Sequence, residues 1–245
     1  MRGWALAGLA LALAGCSGDA SDEITESEEA PLDTGGIAAT IVSTGTPGNC
    51  SYSWDGQTIT PDGILGRSVV VVGDAINAQG GAGNMPEEDL PIIRFEADAD
   101  APFHCTSIAI GTIRATGFTG GTLRVVGTDR DVNVLFEVAG FEGNPPRTVT
   151  AMDEAGAITV TGRPVALTDL GREIVAPPDM DPIMGAGTLF LLPSADTRFG
   201  QVLEAADTVF QSGGRATLAS CYAPAFDRPF AADQTGTPLP ECSGV

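Results

Sequence analysis

The feature that most constrains this chain is its punctuation. Past residue 36, short apolar runs of alternating character are cut off again and again by Gly, Pro, Asp and Asn, in a chain holding 32 Gly and 17 Pro among 245 residues. Runs of that length between turn-forming residues are the signature of strands. The pattern predicts strands over 37–43, 68–73, 92–97, 106–116, 121–127, 131–139, 148–152, 157–161, 188–192 and 216–221. Over 131–139, Val132, Val134, Phe136 and Val138 share one face while Asn133, Leu135 and Glu137 take the other, the period of two of a half-buried strand. Strands joined so briefly are expected to be antiparallel neighbours. One stretch departs from the pattern. Apolar residues recur at Phe199, Val202, Leu203, Ala206, Val209 and Phe210, which predicts an amphipathic helix over 197–211, closed by Gly213-Gly214. The glycine-rich segment 74–91 reads as a surface loop. No repeat at a fixed period is visible in the sequence. The expectation is a mainly β protein: one domain over 37–245, an antiparallel β-sandwich in the jelly-roll or immunoglobulin size range, with one C-terminal amphipathic helix.

All 12 basic residues are arginine, there is no lysine, and the one histidine is His104. Those absences exclude reactions built on a lysine amine, such as Walker A phosphate loops, Schiff bases and Ser-x-x-Lys acylation centres. They also exclude catalytic zinc held by two or three imidazoles. The formal charge of −20 argues against nucleic acid as a partner, because phosphate binding depends on clustered Lys and Arg. His104 directly precedes Cys105, so in a strand the two would point to opposite faces and form no dyad.

The N-terminus opens MRGWALAGLALALAGC: one base, Arg2, and an apolar run from Trp4 to Ala14. That run is about half the ~20 residues a membrane-spanning helix needs, and it reads as a signal peptide over 1–15. Leu13-Ala14-Gly15-Cys16 resembles the lipobox of bacterial lipoproteins. The resemblance implies cleavage before Cys16 and acylation of its thiol and new amino group, with palmitate among the acyl chains. Two or more chains suffice for stable anchoring. Ser17 after that cysteine implies an outer-membrane destination in a cell with two membranes. Residues 16–36 carry seven acids and no base, too little apolar surface to offset the entropy of ordering, and are expected to be a disordered acidic tether.

With Cys16 lipidated, Cys50, Cys105, Cys221 and Cys242 remain, an even number in an exported chain. Three pairings are possible. Cys50 with Cys105 and Cys221 with Cys242 close the shortest loops and are favoured. The second bridge would pin a proline-rich tail running from residue 222.

Candidate sites are few. Asp98/Asp100 and Asp129/Asp131 flank predicted strands, where paired carboxylates suit calcium, so Ca²⁺ is the one cofactor considered and none is otherwise expected. Asp179/Asp181 is a third pair of the same kind. Tyr52 and Trp54 share a strand face beside Asp55, the best single stretch for a ligand contact. Asp33-Thr34-Gly35 matches the core of the aspartic-protease signature, but it has no second copy and sits at the end of the tether. No catalytic residue is assigned. The expected function is a lipid-anchored cell-envelope protein, a non-catalytic binding or scaffolding module, with an envelope protein or glycan as partner. The alternatives are a carboxylate-dependent hydrolase of glycan or peptide and a calcium-stabilised adhesion module.

Overall fold

The computed structural model describes residues 36–81, 91–138, 149–174 and 187–220, all within the unit Thr34–Val245. Among them only two non-glycine residues have positive φ, Asp55 (48°) and Thr161 (50°), each followed by a glycine, Gly56 (79°) and Gly162 (77°). Two consecutive positive φ angles make the tight two-residue turn that matches strand twist. The turns join β2 (Asn49–Trp54) to β3 (Gln57–Ile59) and β8 (Ile158–Val160) to β9 (Arg163–Val165).

β1 (Ile37–Thr46) precedes the first hairpin, and β4 (Ile92–Ala97), β5 (Gly120–Val125) and β6 (Val132–Val138) follow it. β7 (Val149–Met152) precedes the second, and β10 (Thr188–Pro193) and β11 (Arg215–Ser220) follow it. All eleven strands form one mixed sheet in the order β3-β2-β1-β4-β5-β6-β11-β10-β7-β8-β9. The expected antiparallel sandwich is therefore corrected to a mainly β protein with a single mixed sheet among the described residues.

The reason lies in two segments read as strands. Residues 68–73 belong to α1 (Pro61–Ala78) and residues 106–114 to α2 (Phe103–Arg114). Their β-branched runs suggested strands, but the burial is helical: Ile64 and Ser68 on α1, and Phe103, Thr106, Ala109, Ile110 and Ile113 on α2. Thr60 caps α1, its Oγ1 accepting from the Gly63 N–H at 3.2 Å, and Pro61 occupies the first turn where its missing N–H costs nothing. Parallel neighbours need such crossover elements. With them, β1/β4 and β4/β5 run parallel, as do β7/β10 and β10/β11, the last bridged by α3 (Phe199–Gln211). α2 packs against both α1 and α3, so the helices share one face of the sheet. On that face Ile41, Ile93, Phe95, Leu123, Leu189, Leu191 and Leu218 are buried with Val132, Val134 and Phe136. Phe95 meets Phe136 edge to face at 5.6 Å.

The strand order is a palindrome. Read from either edge, the two halves present the same sequence of elements, hairpin strands, first strand, crossover strand and last strand, with the same pair orientations, and β6 stands between them. β4 and α2 start at 92 and 103, β10 and α3 at 188 and 199, a constant offset of 96 (188 − 92 and 199 − 103). The two tight turns sit 106 apart (161 − 55). Ile64 of α1 and Leu170, both fully buried, hold equivalent places, but the second half replaces the 18-residue α1 with a seven-residue 3-10 helix, Leu167–Glu173. The fold is thus an internal duplication about a two-fold axis normal to the sheet, which the sequence did not reveal.

Candidate functional site

The two halves meet at a seam. The segments that follow β4 and β10 lie side by side: Phe103 N–H donates to Thr197 O (2.7 Å) and Phe199 N–H to Ala101 O (2.8 Å), while His104 N–H and Gly200 N–H reach Ala195 O and Ala99 O. Every bond has its counterpart 96 positions on. The Phe103 and Phe199 rings stack at 6.3 Å, and Arg198 pairs with Asp100 at 3.4 Å. His104 therefore lies in the first turn of α2, not in a strand.

The four charged side chains of one cluster come from β4, β5 and the residue just before β6. Alternation turns Ile93, Phe95 and Ala97 toward the helices and Arg94 and Glu96 to the opposite face. Register sets Glu96 beside Arg124 of β5. Arg124 donates to Glu96 Oε1 through Nε (2.8 Å) and Nη2, and Arg94 grips both oxygens of Asp131 at 2.9 and 2.6 Å. Arg124 also lies 3.9 Å from Asp131. Two cations and two anions, each 12–31% exposed, neutralise one another. Thr122, cross-strand from Arg94, is 4% exposed, and its Oγ1 has no hydrogen-bond partner among the described residues. The sequence reading missed this cluster, although the alternation Ile92-Ile93-Arg94-Phe95-Glu96-Ala97 displayed two charges on one face.

The residues singled out in the sequence fall in different places. Tyr52 and Trp54 are 5% and 4% exposed on the helix side of β2, opposite Ser43 and Ile41, where they belong to the core. Asp55 fixes its own hairpin, Oδ1 accepting from the Thr40 N–H at 2.8 Å. Asp98, Asp100 and Asp129 are exposed. Asp131, the fourth candidate calcium ligand, has both oxygens engaged by Arg94. Among the described residues no three His, Cys, Asp or Glu side chains group as a metal site. Cys50 and Cys105 form a disulfide with Cα atoms 5.4 Å apart, tying β2 to α2. In the second half, Gly156 and Gln201 occupy the matching positions, and Gln201 Nε2 donates to Ala155 O at 3.0 Å instead. Cys16, Cys221, Cys242, Asp33-Thr34-Gly35, Asp179 and Asp181 lie outside the described residues, as do the signal segment, all of the tether but Gly36, and the tail.

A shallow recess of about 330 Å³ opens between the β7–β8 turn and the segment after β10, lined by Asp153, Glu154, Asp196, Ser194 and Thr159 among others. Asp153 Oδ1 is already bound to the Ala155 and Ala157 N–H groups at 2.9 and 2.8 Å, so it shapes the turn.

In comparison with known proteins, no family model, no curated relative and no solved structure matches this chain.

Proposed function

We propose that this is a lipid-anchored cell-envelope protein whose folded part is a binding or scaffolding module. The observation that carries this reading is Leu13-Ala14-Gly15-Cys16 behind a single base and a short apolar run, followed by the acid-rich stretch that leads to β1. Ser17 favours an outer-membrane destination where the envelope has two membranes. The partner is an envelope protein or glycan; calcium is the only cofactor worth testing.

The duplicated sheet supports a module that presents surfaces. Its best-formed charge cluster is closed on itself, which suits positioning and solubility more than proton transfer. The test has two arms. Cys16→Ala is expected to move the protein from the membrane fraction to the soluble fraction, and retention of the variant in the membrane overturns the anchor. Crosslinking of the tagged chain in intact cells is expected to recover one stoichiometric neighbour; recovery of none above background counts against scaffolding.

A second reading is a carboxylate-dependent hydrolase, favoured by the meeting of Glu154 and Asp196 in one recess. On that reading Glu154→Gln and Asp196→Asn each abolish cleavage of envelope glycan or peptide, and a wild-type chain inert on both substrates excludes it.

A further inference from the structure

α1 shows an apolar face that nothing among the described residues covers. Ile64 and Ser68 point inward, fully buried, whereas Val69 and Val70 are 55% and 59% exposed and Leu65 is 36% exposed. At 100° per residue, Gly66, Val69, Val70 and Gly73 share the outward side. A glycine in a helix interior is destabilising relative to alanine. A Cβ on Gly66 or Gly73 would meet nothing within 4 Å, so the fold itself gives neither glycine a reason. Two glycines bracketing two exposed valines make a flat strip that another helix can approach closely.

We infer that this strip is a self-association surface, on which α1 packs antiparallel against α1 of a second copy of this chain. The occupant follows from the symmetry of the strip. A two-fold axis between Val69 and Val70 sets Gly66 against Gly73 of the second copy, and Val69 against its Val70, so the face is complementary to itself. The charges agree. Arg67 and Asp74 lie along one flank of the strip, and the same axis brings Arg67 of each copy alongside Asp74 of the other. Among the described residues Arg67 spends one N–H on Gln57 at 2.8 Å and keeps four, and Asp74 is exposed and has no ion pair. The second half cannot repeat the contact, because its 3-10 helix ends after seven residues. A single pair of short helices covers less than the roughly 1,200 Å² of stable complexes, so the association is weak in dilute solution. The contact itself does not depend on the lipid anchor.

The test is disulfide trapping in cells producing the full-length chain, with the wild type as baseline and dimer read on a non-reducing gel. Val70→Cys lies beside the axis and is expected to give a covalent dimer above the wild-type level. Asn77 is also exposed, but Asn77→Cys stands about 22 Å along the helix from its mate and is expected to give none. Adding Gly66→Leu to Val70→Cys blocks the close approach without harming a helix, since leucine is the better helix former, and is expected to cut the dimer about tenfold, equivalent to about 1.4 kcal/mol. Absence of dimer with Val70→Cys, equal dimer with Asn77→Cys, or an undiminished band with Gly66→Leu each overturns the proposal. Far-UV circular dichroism of each variant confirms that the helix is intact.

Discussion

At the scale of single residues, glycines separate backbone need from surface use. Gly156 has φ +79°, and a Cβ there would fall 2.3 Å from Gln201 Nε2. Gly156→Ala is therefore expected to destabilise by about 1–2 kcal/mol in urea unfolding, mainly through the left-handed backbone, because the glutamine end can swing aside. Gly66→Ala goes the other way: with open space and helical backbone, it should stabilise the protein by about 0.4–1 kcal/mol. The paired charges make a further prediction. Because Arg94 holds both oxygens of Asp131, and no three candidate ligands group together among the described residues, the melting temperature should be unchanged between millimolar Ca²⁺ and EDTA; a rise in calcium would mean that the folded chain binds the ion. Residue identities told little of this in advance. Tyr52 and Trp54 drew notice as aromatics near an acid, yet which face of β2 they occupy depends on β1 and α2, and no local pattern encodes that.

At the scale of elements, the disulfide is one asymmetry between the halves, beside the replacement of α1 by a 3-10 helix. It joins residues 55 apart, and the chain-entropy account gives roughly 4 kcal/mol for a loop of that size as an upper figure. Cys50→Ala with Cys105→Ala should lower stability by about 2–4 kcal/mol, and reductant should destabilise the wild type by more than it does that variant. Much of the element order was legible. Strands expected at 92–97, 131–139 and 157–161 are β4, β6 and β8 within two residues, because alternation and flanking turns agree there. The failures at 68–73 and 106–116 had one cause. Valine and isoleucine runs carry a β preference that tertiary packing overrides, and the opposing local signals, Thr60-Pro61 before α1 and Pro102 before α2, were short. Losing those two crossovers turned a mixed sheet into an expected antiparallel one, so two local errors became an error of fold. The Asp55-Gly56 pair is a strong hairpin signal in the sequence, and the structure turns there between β2 and β3.

At the scale of the whole molecule, the duplication was hidden by divergence. Over 92–114 and 188–210 the halves agree at Ala99/Ala195, Asp100/Asp196, Phe103/Phe199, Ala109/Ala205 and Thr112/Thr208, five positions of 23. What persists is the burial pattern, which many residues satisfy. The hydrogen bonds and stacked rings of the seam are expected to make the halves unfold as one unit. Phe199→Ala removes a fully buried ring at the seam and is expected to cost about 3–5 kcal/mol. Trp54, the one tryptophan beyond residue 15, sits in the other half. Its fluorescence should nonetheless shift with the circular dichroism transition and by the same amount; a Trp54 transition left in place would mean that the halves unfold separately. The axis through β6 has one more consequence. In a dimer of identical chains every substitution is made twice, so neither copy can change alone. Here both copies lie on one polypeptide, and one can be altered while the other keeps its role. The sheet face away from the helices records that freedom: where β4 carries Arg94 and Glu96, the matching places on β10 hold Phe190 and Leu192. The sheet is thus symmetric in topology but has two unlike ends, so anything that recognises this face can meet it in only one orientation.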